Sequence, residues 1–139
     1  MIVLDTNVLS ELLRPAPAPR VEAWLSAQDG AKVCFTTVGE AELRLGVAIL
    51  PAGRRRTALA AAIEGILEED FRDRVLSFDR AAARAYAAIA ADRRAAGRPI
   101  SQFDCQIAAI ARANGAAVAT RNVGDFEACG ISVIDPWKG

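Results

Sequence analysis

At 139 residues and 53% hydrophobic content, the chain has the size and the apolar side chains for one packed domain. Its 17 basic and 17 acidic residues cancel, which excludes the global field that draws cationic proteins onto nucleic acid and leaves any such contact to local patches. Histidine is absent, which excludes Ser-His-Asp triads, Cys-His pairs, H-E-x-x-H zinc sites and histidine-based RNA cleavage.

The N-terminal stretch MIVLDTN has an acid at Asp5 and no basic leader, and no window reaches the ~18 uncharged apolar residues of a membrane span, so a soluble cytosolic protein is expected. Short apolar runs at Ile2–Leu4, Val33–Thr37, Val75–Phe78, Ala117–Thr120 and Ser132–Ile134 read as buried strands. Helical periodicity fills the intervals at Val8–Leu13, Arg20–Ala27, Val38–Leu50, Arg54–Glu68, Arg80–Ala96 and Gln102–Ala113. The alternation predicts an α/β fold, a parallel sheet covered on both faces. PAPAP at Pro15–Pro19 reads as a rigid connector. Cys34, Cys105 and Cys129 are odd in number with no C-x-x-C spacing, and are expected as free, mostly buried thiols. Lys32 and Lys138 are the only lysines and neither lies in a phosphate-binding loop motif, which removes the P-loop NTPases.

Ligands of such sheets bind beyond the carboxyl ends of the strands, where strand order reverses, so the polar residues closing strands matter most. Asp5 follows the first strand directly, and an Asx turn or helix cap competes there with a functional role. In the helix from Val38, a rotation of about 100° per residue sets Glu42 beside Val38, Leu45 and Ile49 on the apolar stripe. A carboxylate facing inward needs a cation or a proton, and a buried salt bridge is the competing explanation. The Thr37–Glu40 spacing leaves capping to Glu40 and not to Glu42. Asp104 has capping-box spacing from Ser101, yet aligns with Ile107, Ala108 and Ala111, so it can cap and still point into the crevice. Carboxylates converging on one crevice repel, by about 4 kcal/mol for a pair about 4 Å apart at an effective dielectric of about 20. A hard cation relieves this, and oxygen ligands without His or Cys select Mg²⁺ or Mn²⁺.

These segments resemble the PIN-domain ribonucleases, and within them the VapC/FitB-type toxins of bacterial type II toxin–antitoxin pairs. VLDTNVLSELLRP, TTVGEAELRLGV, DCQIAAIARANG, VATRNVGDF and VIDPW carry the likeness in order through nearly the whole chain. The resemblance implies a three-layer α/β/α sandwich around a parallel sheet of about five strands, with Mg²⁺- or Mn²⁺-dependent endoribonuclease activity using water as nucleophile. It implies Asp5 and Asp104 as direct metal ligands, Glu42 as ligand of a second ion or holder of a water, and Thr6, Asn7 and Thr120 as supporting hydrogen-bonders. Some relatives place a fourth acid where Asn122 stands and others where Asp125 stands. Asp125 is expected to supply the charge, directly or through water, and Asn122 to position a water or RNA, with capping of a brief helix as the plainer role for Asp125.

Arginine supplies nearly all the positive charge. Arg54, Arg55 and Arg56 form the densest cluster, and Arg93, Arg94, Arg98 and Arg121 are further phosphate candidates, with Arg121 favoured by its closeness to the site. Arg72 and Arg74 are expected to pair with Asp70 and Asp73, and VIDPW to serve C-terminal packing. The resemblance further implies a cognate VapB/FitA-like antitoxin with a DNA-binding domain, whose C-terminal segment lies in an apolar groove, together with a homodimer and larger toxin–antitoxin assemblies. Leu43–Leu50 and Thr57–Leu67 offer apolar surface for that groove, in competition with core packing. An acidic-pocket DNA nuclease or phosphatase, or a decayed PIN-like binding module, are the alternatives.

Overall fold

The computed structural model describes residues 1–138. Five strands, β1 (Ile2–Leu4), β2 (Val33–Thr36), β3 (Val75–Leu76), β4 (Ala117–Ala119) and β5 (Val133–Ile134), form one parallel sheet in the order β3-β2-β1-β4-β5. Central β1 sets Ile2 opposite both Val33 and Ala117 and Leu4 opposite Ala119. Since β2 and β3 build out from one side of β1 and β4 and β5 from the other, strand order reverses between β1 and β4.

Six helices cover the sheet: α1 (Thr6–Leu12), α2 (Pro19–Ser26), α3 (Thr37–Ala48), α4 (Arg54–Gly65), α5 (Arg80–Ala95) and α6 (Gln102–Ala113). Successive strand residues point to opposite faces, which divides the core in two. Val3, Cys34 and Val118 pack with Ile89, Ile107, Ile110 and Phe126, while Leu4, Phe35 and Ala119 pack with Val8, Leu9, Val21, Leu43 and Ile63. The result is the expected three-layer α/β/α sandwich, with all three cysteines free and buried. Gly39 is required by close approach: a Cβ there would lie 2.5 Å from the Phe35 ring.

The differences from expectation are local. α1 begins at Thr6 rather than Val8 because Asp5 caps it through the Thr6 N–H. Pro19 opens α2, where its missing N–H costs nothing. α3 is capped by Thr36, whose Oγ1 accepts from Gly39 N at 2.9 Å, and Glu40 instead pairs with Arg44 at 2.8 Å. The buried stripe of α3 is Val38, Gly39, Leu43 and Val47, so Leu45 and Ile49 are 61% and 75% exposed and Glu42 lies at the edge of the stripe, half-buried. The helix predicted through Glu68 gives way at Ile66 to a π-helical turn, Ile66–Asp70, and Leu67 and Phe71 are both buried there. Among the described residues Arg74 binds no carboxylate: its guanidinium donates to the backbone carbonyls of Val33, at 2.8 Å, and Asp70, and lies over the Phe71 ring. Among the described residues Arg72 makes no ion pair with Asp70 or Asp73. No described helix is long and apolar enough to cross a membrane.

Candidate active site

The ladder continues one residue past β1 and β4, with Asp5 N–H donating to Ala119 O and Thr120 N–H to Ile134 O, each at 2.9 Å. This sets Asp5 and Thr120 side by side at the point where strand order reverses. Asp5 is 6% exposed, and both its oxygens are occupied, Oδ1 by Thr6 N and Oδ2 by Thr120 Oγ1, each at 2.8 Å. Thr120 Oγ1 also accepts from Asn122 N at 3.0 Å and from Asn7 Nδ2 at 3.3 Å. Burial pushes the Asp5 carboxyl up to about 6; the bonds from Thr120 and Thr6 resist this, and repulsion from Asp104 and Glu42 adds to it.

Glu42 reaches the site from α3, where its Oε1 accepts from Thr6 Oγ1 at 2.7 Å. It has no arginine partner, so the salt-bridge explanation for this acid fails among the described residues. Asp104 sits in the first turn of α6, where its N–H is capped by Ser101 Oγ at 3.2 Å and its side chain is half-buried. Desolvation raises its carboxyl above the usual range and Asp125 adds to the rise, against Ser101 and Arg93, which lower it. Asp5, Glu42 and Asp104 line one cavity of about 530 Å³ together with Thr6, Asn7, Arg121 and Asn122. Asp125, in the short 3₁₀ turn Val123–Phe126, is exposed and outside that lining, although near enough to act on Asp104. Its N–H donates to Asn122 O at 3.0 Å, so neither residue caps the turn through its side chain.

The donor set is hard oxygen alone, and its three acids repel one another, which suits Mg²⁺ or Mn²⁺. Among the described residues no three His, Cys, Asp or Glu side chains converge closely enough to hold an ion by themselves. A site of one or two carboxylates completed by water is the arrangement Mg²⁺ prefers.

Four residues on the cavity wall escape the sequence reading: Ser10, Glu11, Arg14 and Trp137. Asn7, Ser10, Glu11 and Arg14 follow the i, i+3, i+4, i+7 spacing of one helical face, a signal available in the sequence. Trp137 packs against the core as expected and also lines the cavity, carrying the Arg121 guanidinium 5.1 Å from its ring centre. Arg93, a phosphate candidate by sequence, is 5% exposed and spends its donors on backbone carbonyls of Arg98, Asp125 and Glu127 at 2.6, 3.0 and 3.0 Å. It anchors the turn and is closed to solvent. Arg98 pairs with Glu127 at 3.1 Å, while Arg55, of the densest cluster, lines a different cavity. That second cavity, about 610 Å³, runs between α1, α3 and α4 over Leu13, Leu43, Val47, Leu59 and Ile63, and shares Thr6, Ser10, Arg14 and Glu42 with the acidic one.

The PIN domain family model matches residues 2–129. The chain belongs to the PIN domain family. This PIN domain is 44% identical over 138 residues to the VapC ribonuclease Y4jK of Sinorhizobium fredii, covering 99% of each chain. It superposes on the crystal structure of FitAcB from Neisseria gonorrhoeae with a TM-score of 0.93 at 42% identity, covering 99% of each chain. At 26% identity and a TM-score of 0.67, covering 95% of each chain, it is also similar to VapBC-5 of Mycobacterium tuberculosis, a member of the VapBC family of toxin–antitoxin systems.

Proposed function

We propose that this PIN domain is a Mg²⁺- or Mn²⁺-dependent endoribonuclease toxin, hydrolysing RNA phosphodiesters and held inactive by a cognate antitoxin. The observation that carries this is Asp5: a carboxylate buried at the strand-order reversal, with two further acids facing it, is pushed up to about 6, and a bound cation would relieve the cost of ionising it there. The relatives' names, a VapC ribonuclease and a toxin–antitoxin family, support the substrate and the partner.

Asp5 and Asp104 would hold the ion, with Glu42 and Asn122 on the cavity wall around them. Bound there, Mg²⁺ or Mn²⁺ supplies a Lewis acid for the phosphoryl oxygen and lowers the pKa of water. Thr6 and Thr120 fix the Asp5 oxygens, and Asn7 steadies Thr120. Thr6 also holds Glu42 by Oε1, which leaves Oε2 to orient the attacking water. Hydrolysis is in line, with no covalent enzyme intermediate. Asp125 would add negative potential at Asp104. The apolar groove between α1, α3 and α4 suits an amphipathic antitoxin segment, whose path would cross Arg14 and Glu42 into the acidic cavity. A homodimer completes the reading, and the exposed Leu45 and Ile49 are apolar surface available to an assembly.

The test is incubation of the purified chain with labelled single-stranded RNA in Mg²⁺, in Mn²⁺ and in EDTA, beside Asp5→Asn. Cleavage that needs the ion and Asp5 is expected. Cleavage surviving both changes sinks the mechanism, cleavage of DNA alone favours a DNA nuclease, and absence of both cleavage and calorimetric metal binding favours a binding module.

A further inference from the structure

The acidic floor of the cavity repels the polyanion it would cut, so cations on the rim must hold the strand. Two arginines stand there, each fixed by a different device. Arg14 lies just past the end of α1, and its Nη1 lies 3.2 Å from both oxygens of Glu11. Glu11 is an unusual surface-helix acid, 6% exposed and also accepting Ala18 N–H at 3.0 Å, so it is itself immobile. Arg121 follows Thr120 directly; its N–H donates to Asn7 Oδ1 at 3.4 Å, and its guanidinium rests on Trp137. Trp137 is tied in turn, by its N–H to Asp135 Oδ1 at 2.9 Å and by its carbonyl to Arg20 Nη1 at 3.5 Å. Arg14 and Arg121 line the same cavity as Glu11 and Trp137.

We propose that Arg14 and Arg121 form a two-point clamp for the phosphates of a single-stranded RNA flanking the cut, with Glu11 and Trp137 as the residues that position them. This rests on the endoribonuclease reading and adds the site that would hold the strand. Arg14 is 64% exposed, so its guanidinium keeps free donors on the solvent side while Glu11 fixes its direction. Stacking on Trp137 uses one face of the Arg121 guanidinium and leaves its edge donors free for phosphate.

The salt dependence of binding tests this. The wild-type chain, Arg14→Ala, Arg121→Ala and, as a remote control, Arg84→Ala are titrated in EDTA with a fluorescein-labelled mixed-sequence 20-nucleotide single-stranded RNA over a range of KCl concentrations. Each lost phosphate contact should flatten the slope of log K against log [salt] by about 0.7, so Arg14→Ala and Arg121→Ala each show that fall and Arg84→Ala does not. Trp137→Leu should weaken binding and shrink the further effect of Arg121→Ala, which a merely structural tryptophan would leave intact. RNA that binds with unchanged slopes in both arginine variants overturns the clamp. So do unchanged slopes together with weakened antitoxin capture, which would give these arginines to the protein partner. RNA that neither binds nor is cleaved by the wild-type chain with Mg²⁺ instead fails the endoribonuclease reading itself.

Discussion

Thr120 gives its hydroxyl proton to Asp5 Oδ2 at 2.8 Å because Asn7 Nδ2 and Asn122 N already occupy the oxygen as donors. One hydroxyl, 0% exposed, therefore fixes the direction of the central acid and joins β1, α1 and the turn after β4. Thr120→Val keeps the shape, removes all three bonds and leaves a buried acceptor and two part-buried donors without their partner. A loss of about 2–3 kcal/mol in urea unfolding is expected, with Thr120→Ser retaining most of the difference. A loss in Thr120→Ser with none in Thr120→Val would mean that the methyl, not the hydroxyl, matters.

The raised Asp5 carboxyl makes a signed prediction about pH. Unfolded, the group titrates near 3.8; folded, near 6, so between these values the folded chain binds the extra proton and stability falls as pH rises. The stabilisation is whole below 3.8 and has gone above about 6, a span worth about 3 kcal/mol at most. In EDTA, wild-type unfolding free energy should drop across that window relative to Asp5→Asn, which lacks the titration. Parallel curves for the two proteins would contradict the burial argument.

Metal should reverse that penalty. With Asp5 and Asp104 as ligands, Mg²⁺ at about 100 times its dissociation constant stabilises the wild type by about 2.7 kcal/mol. The same addition should move the melting temperature of Asp5→Asn or Asp104→Asn little, and that of Asp125→Asn by more than either, since Asp125 lies outside the cavity lining. A response abolished by Asp125→Asn and kept by Asp104→Asn would reverse their roles.

How far the sequence could be read follows from what each signal depends on. Strand positions and the inward aspect of Asp104 were legible because period and apolar runs are local properties, and β1 to β5 each lie within the predicted runs. Glu42 was singled out on a stripe with Leu45 and Ile49, yet those two are exposed; it reaches the site because Thr6, 36 residues away, bonds it. The cavity-lining role of Trp137 and the burial of Arg93 escape the sequence for the same kind of reason, since a side chain's neighbours across the fold leave no mark in its own segment. Arg93 looked like any helical arginine until Asp125 and Glu127 folded onto it.

That buried arginine gives the last prediction. Among the described residues Arg93 has no carboxylate partner by hydrogen bond, and through Nη1 it holds the Asp125 and Glu127 carbonyls and touches Cys129 Sγ at 3.7 Å, while Nε holds Arg98 O. It thus closes the loop after α5 and the turn after β4 onto one another. Arg93→Met removes the donors of three part-buried carbonyl bonds and leaves the core without its guanidinium, which should cost about 2–4 kcal/mol. Arg93→Lys keeps the charge that lowers the Asp104 carboxyl but cannot span all three carbonyls. Stability should therefore fall in both variants, whereas the pH at which Asp104 ionises, followed by carboxyl NMR, should rise in Arg93→Met and hold in Arg93→Lys. A similar rise in both would show that the shape of the guanidinium, rather than its charge, sets the field at Asp104.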